Sequence, residues 1–283
     1  MSKKDIDELL DLLEANFKDE LGDENIVELD EGSKALVRGD FEEAWENFYA
    51  ISNSKDPALH SYKGEAMYGL FRVMQEIPLE HEFLQHLINI DTGLIKKSKT
   101  KQITKEYGRA FIARKYLRLS ADDYNYYPAV VEYALNCVGS GGKNSFVFKY
   151  NDQDALVGLA WADILIRSNV DEIKGKGHIV HAKYHFARCL ETKSPEEVRL
   201  FCENVIAAKD LLPDDDEYIL YFYGMMCAQP MFKSFEQGTY YNPKKGYELF
   251  CKVIPIAQDP DIVESASKIK AMFETKYSSM IEK

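Results

Sequence analysis

His178, His181 and His185 come nearest to a chemical arrangement in this chain. Spaced three and four residues apart in HIVHAKYH, they fall on one face of a helix. At ~1.5 Å per residue the outer two stand about 10.5 Å apart along the axis, too far to share one ion comfortably. His181 and His185 alone have the i, i+4 spacing of a zinc pair. However, Ala182 follows the first of them, where a metalloprotease helix carries its glutamate. Two readings stand: a metal-bearing helix of an α-helical enzyme, or imidazoles that face a groove or pack against a neighbouring helix. The other chemical signals are incomplete. Gly139-Ser140-Gly141-Gly142-Lys143 is glycine-rich, but Asn144 follows the lysine and the glycine spacing of a phosphate-binding loop is missing, so it reads as a loop. Asp214-Asp215-Asp216-Glu217 sits after Pro213 and reads as the cap of the next helix before it reads as a cation site. The five cysteines are scattered without a CxxC pair and read as reduced, mostly buried thiols. No nucleophile elbow, kinase signature or dinucleotide fingerprint occurs. The carboxylates lie mostly on polar helix faces. The expectation is a chain with no catalytic residue, no metal and no cofactor.

The tyrosines point elsewhere. Among 18 of them, Tyr124, Tyr126 and Tyr127 cluster in DDYNYY, and Tyr240 and Tyr241 stand side by side. Tyrosine offers a large, stiff contact surface with a polar tip, and a loop has less need of core filler than a helix has. These five are the candidate partner-binding residues, against the plainer reading that aromatics fill the space between helices.

The elements that would carry such residues are helical. At 283 residues and 46% hydrophobic content the chain can build a large core. No run approaches ~20 uninterrupted apolar residues, so no membrane span is expected. The N-terminal stretch MSKKDIDELLDLLEANF lacks the apolar block of a signal peptide, and the expected address is cytoplasmic. A net charge of -12 repels a phosphate backbone, so nucleic acid is not an expected partner. One basic island, Lys96 to Lys101, is either a solvated loop or a dock for an acidic partner.

Residues 5–21 form an amphipathic helix through Ile6, Leu9, Leu10, Leu13 and Phe17, followed by a polar break. Then comes the most informative stretch, from Gly32 to Phe71. Gly39 ends one helix, Asp40 caps the next, Ala44 allows close approach, and Pro57 marks the following turn. Gly39-Asp40-Phe41-Glu42-Glu43-Ala44, with Phe48 four residues after the alanine and then Pro57, resembles the closing signature of the tetratricopeptide family and its Sel-like variants. Gly32 falls where that family keeps a small residue on its first helix; Glu28 and Glu31 depart from it. Weaker echoes follow at Pro195, Pro243 and Asp259-Pro260, with Tyr247, Phe250 and Val253 matching Trp45, Phe48 and Ile51. Further helices are expected near 58–76, 80–97, 103–119, 128–138, 152–168 and 176–191. The interruption from Val138 to Asp152 reads as a loop on one rim, with a separator between two halves as the alternative.

The resemblance implies an all-α fold, a right-handed solenoid (superhelix) of antiparallel helix pairs. Residues 1–24 would be an N-terminal helix and linker, and 25–283 a single helical-repeat domain. It further implies a non-catalytic scaffold or adaptor that holds a protein or peptide segment on a concave face. The acidic surface favours partners or segments with positive charge. The alternatives are the metal-dependent enzyme of the histidine helix and a peptide-sensing regulator that changes shape on binding.

Overall fold

The computed structural model describes residues 3–19, 27–91, 104–139 and 152–276. Every regular element among them is a helix, as the spacing of the apolar positions requires, so the fold is all-α. The glycine-rich residues 140–143 and the lysine island at 96–101 lie outside the described residues. The chain divides near Asn136 into two compact units, just before the interruption from Val138 to Asp152 that the sequence reads as a loop, with a separator as the alternative.

The first unit holds α1 (Lys3–Asp19), α2 (Val27–Arg38), α3 (Phe41–Ser52), α4 (Lys63–Glu76), α5 (Glu82–Ile90), α6 (Lys105–Asp122) and α7 (Tyr127–Val138). Its clearest joint is at Gly39. With φ at +77° the glycine takes the left-handed conformation that closes a helix, and two bonds complete the turn. The amide of Gly39 donates to the Leu36 carbonyl and that of Asp40 to the Ala35 carbonyl, both at 2.9 Å. Asp40 then caps α3, its carboxylate accepting from the Glu43 amide at 3.2 Å. Two residues thus reverse the chain and satisfy both helix ends.

Packing follows chain order. α2 lies on α3, α3 on α4 and α4 on α6, and α2 also reaches α4. The wedge is Phe48, 3% exposed. A β-carbon built on Gly32 would lie 2.9 Å from its ring, and one on Gly69 2.6 Å, so glycine flanks the ring on both neighbouring helices. On α4, Ala66, Leu70 and Val73 are fully buried, the face their spacing predicts. α5 is less central than its apolar sequence implies. Leu84, Leu87 and Ile88 are buried, with Ile88 closing onto Gly108 of α6 and Phe83 meeting Trp45 of α3 edge-on at 6.3 Å, while Ile90 is 55% exposed. α1 buries Leu10 and Leu13, and Phe17 meets Tyr127 edge-on at 5.1 Å.

The second unit holds α8 (Asp152–Leu165), α9 (Asp171–Thr192), α10 (Pro195–Lys209), α11 (Glu217–Ala228), α12 (Pro243–Val253) and α13 (Pro260–Lys276). Each helix packs on the next, and α9 and α11 also touch their next-but-one neighbours, α11 and α13. α11 is buried from Tyr218 to Ala228. Around it Phe186, Phe201, Phe222 and Phe232 form an aromatic cluster, the closest pair, Phe201 and Phe232, at 4.7 Å between ring centres. Three sequence echoes have structural counterparts. Pro195 and Pro243 both stand in first turns. The Asp259 carboxylate accepts from the Asp261 amide at 2.9 Å, as Asp56 does from Ala58. Phe250 and Val253 are fully buried, like Phe48 and Ile51, and Phe250 packs on Gly224, whose added β-carbon would lie 3.0 Å from it. Tyr247 departs from the echo and is only half-buried. A 3-10 helix, Pro230–Gly238, enters between α11 and α12 and lengthens that connection.

Candidate functional site

The histidine helix, α9, engages each of its three imidazoles separately. His178 Nδ1 pairs with Asn204 Oδ1 on α10 at 2.9 Å, His181 Nε2 with Asp163 Oδ1 on α8 at 3.0 Å, and His185 Nδ1 with Glu197 Oε2 on α10 at 2.7 Å. The stripe therefore bridges α9 to helices on both sides. Among the described residues no group of three or more His, Cys, Asp or Glu is placed to hold a metal ion. Burial holds the His181 imidazole below its ordinary pKa of 6.5, with Asp163 opposing that shift and His185 and His178 adding to it. A histidine whose folded pKa is lowered binds fewer protons folded than unfolded. Its contribution to stability is thus complete above the ordinary value and is lost as pH falls below it toward the folded value. Substituting His181 by glutamine should flatten the fall in unfolding free energy as pH drops below about 6.5, read as the difference between two urea titration series. An unchanged slope would remove His181 from that response.

Two buried thiols lie on the same helix pair. Burial pushes Cys189 and Cys202 up to about 12, so both are protonated and unreactive near neutrality. The Asp214–Glu217 run caps α11, with Asp216 accepting from the Tyr218 and Ile219 amides at 3.0 and 3.2 Å. Lys176 reaches the other Asp216 oxygen at 2.5 Å.

The five sequence-selected tyrosines fall into two places. In the first unit Tyr127 is buried and Tyr124 and Tyr126 half-buried. The α6–α7 turn lies against the start of α4: a β-carbon on Gly64 would meet the Tyr126 and Tyr124 Cβ atoms at 2.9 and 3.0 Å. Ser120 Oγ donates to the Gly64 carbonyl at 2.6 Å beneath them. This turn packs two helices together and keeps part of Tyr124 and Tyr126 in contact with solvent.

In the second unit, Tyr240 and Tyr241 join residues that are distant in sequence. The Asn242 amide donates to the Cys227 carbonyl at 3.0 Å, pinning the start of α12 to the end of α11. The Asn242 side chain then accepts from the Lys245 amide at 3.1 Å. That cap sets Lys245 over the face of Tyr223, its ammonium 4.8 Å from the ring centre and 3.2 Å from the hydroxyl. Lys209, in the last turn of α10, stands over the same ring at 5.8 Å. Lys233, from the 3-10 helix, stands over Tyr241 at 5.6 Å. Tyr240 packs on Phe235 at 6.0 Å. Desolvation, then Glu236, Tyr223 and Asp210, raises the Tyr240 phenol above its ordinary pKa, so these two carboxylates border the cluster.

The lysines are distinguished by what they lack. Lys115, Lys176 and Lys183 also sit over tyrosine rings, and each of them also meets a carboxylate: Asp91, Asp216 and Asp259 respectively. Among the described residues Lys209, Lys233 and Lys245 form no ion pair with a carboxylate. Sequence reading selected Tyr240 and Tyr241 but passed over the lysines and Tyr223. The one local signal for them was Lys244-Lys245 in the first turn of α12, where a cation opposes the helix dipole. No protein-family model, curated protein or solved structure matches the chain.

Proposed function

We propose that the chain is a non-catalytic scaffold or adaptor, built as a right-handed solenoid of antiparallel helix pairs of the tetratricopeptide or Sel-like kind, which holds a protein or peptide segment on its concave face. The observation that carries this reading is the repeated glycine–aromatic wedge. Phe48 lies between Gly32 and Gly69 in one unit, and Phe250 lies on Gly224 in the other. A stack in which helices pack on their next and next-but-one neighbours needs such close approaches at regular intervals. The Schellman turn at Gly39 and the paired Asp-Pro junctions also support it. A rigid surface of this kind loses little conformational entropy when it orders an extended segment.

The test is capture from an extract of the cells that make the chain, followed by calorimetry with the purified partner. The expected result is a saturable complex of fixed stoichiometry with no chemical turnover of the partner. Turnover by the isolated chain, or failure of every captured protein to bind once purified, would overturn the reading.

A further inference from the structure

We propose that Lys209, Lys233 and Lys245, set on the faces of Tyr223 and Tyr241, form an anchor for an anionic group, a carboxylate or a phosphate, on the segment the chain binds. The inference rests on the scaffold reading and gives that reading a chemical preference. It stands on three observations. Two ammonium groups from different helices, α10 and α12, converge on one tyrosine ring, and a third stands on the neighbouring Tyr241. The other described lysines over tyrosines complete their surroundings with a carboxylate, and these three do not. The chain also places Lys244 and Lys245 at a helix start, where cations are disfavoured, in a protein with a net charge of -12. Lys245 is balanced there by the ring and hydroxyl of Tyr223 and by no carboxylate, and a local rule broken in this way is expected at a functional position.

The aromatic faces are part of the device. Lys233 and Lys245 are exposed and Lys209 half-buried, while Tyr223 is buried and held at its hydroxyl by Lys245. A cation over a ring keeps its charge and gives up little hydration, so the ammonium groups are positioned without being neutralised. An arriving carboxylate or phosphate would take the place that Asp91, Asp216 and Asp259 take elsewhere in this fold.

The probes are a fluorescein-labelled octaglutamate, a labelled phosphoserine peptide with an otherwise neutral sequence, and a labelled oligodeoxythymidine. Each is titrated by anisotropy against the full chain. The expected result is saturable binding of at least one peptide, weakened about tenfold by the double variant Lys209→Gln/Lys245→Gln and by raising salt from about 0.05 to 0.5 M. Preference between the two peptides identifies the anion as carboxylate or phosphate. Tyr223→Phe should bind within about twofold of the parent, since the ring is kept. Peptide binding unchanged in the double variant, no peptide binding at all, or binding of the oligonucleotide alone would each overturn the anchor. These outcomes separate from the scaffold test: a captured partner that binds equally well to the double variant leaves the scaffold standing and removes the anchor.

Discussion

Phe48→Ala should lower the unfolding free energy of the first unit by about 3–5 kcal/mol, the range for buried aromatic truncations. The size of a truncation effect depends on whether neighbours can fill the void. Here they cannot, because the ring's flanking positions are Gly32 and Gly69, which have no side chain to turn inward. Closing the space would require α2 and α4 to move toward each other as bodies. Each packs on α3, and α4 packs on α6 as well. The chain has two tryptophans, Trp45 beside the site and Trp161 in the second unit. In a Trp161→Phe background, urea titration of Trp45 fluorescence reads the first unit alone. A loss below about 1 kcal/mol would mean the ring is not a wedge. Phe48→Leu should fall between parent and alanine, since it restores part of the volume.

Phe48 also shows how far the sequence can be read. Gly39, Asp40, Ala44 and Phe48 lie within ten residues of one another, and their roles are set by local backbone geometry and helical period. The turn, the cap and the buried face followed from those alone. Gly69 did not follow, because nothing local distinguishes a glycine that faces an aromatic ring from one that merely interrupts a helix. Where a helix has few neighbours, the apolar pattern misleads in the other direction. Ile90 belongs to a run that is apolar on most sides, yet more than half of it is exposed, because α5 packs chiefly on α6.

The candidate site divides along the same line. Tyr240 and Tyr241 were visible as an aromatic pair in a connection, but Lys233 comes over Tyr241 from the 3-10 helix, Tyr223 lies near Tyr240 from α11, and Lys209 of α10 stands over Tyr223. Their meeting is set by one long-range backbone bond, Asn242 to Cys227, and by a 3-10 helix whose period the apolar pattern does not announce. The histidine stripe was legible as a face of α9. Its partners Asn204, Asp163 and Glu197 were not, since they belong to helices whose register against α9 depends on close packing.

That register rests on Gly177. Gly177→Ala should cost about 1–3 kcal/mol, although glycine-to-alanine in a helix interior ordinarily stabilises by roughly 0.8–1 kcal/mol. A β-carbon there would lie 2.9 Å from the Ala162 carbonyl oxygen and 2.9 Å from the Ile166 nitrogen, both backbone atoms of the α8 end. Backbone cannot rotate aside, so α8 and α9 must separate. Two residues earlier on the same helix, Gly175 provides the control. Its added β-carbon would meet the Leu212 side chain at 2.5 and 2.7 Å, atoms that can shift to another rotamer. Both substitutions gain the same helix propensity. Gly177→Ala should therefore be the less stable of the two by about 1 kcal/mol or more, measured by urea titration of Trp161 fluorescence in a Trp45→Phe background. The same separation would stretch the 3.0 Å bond between His181 and Asp163, which crosses this junction. Gly177→Ala should accordingly change the pH slope below 6.5 that His181 sets, while Gly175→Ala should leave it as in the parent. Equal stability and equal pH slopes for the two variants would show that α8 and α9 do not meet backbone to backbone at Gly177.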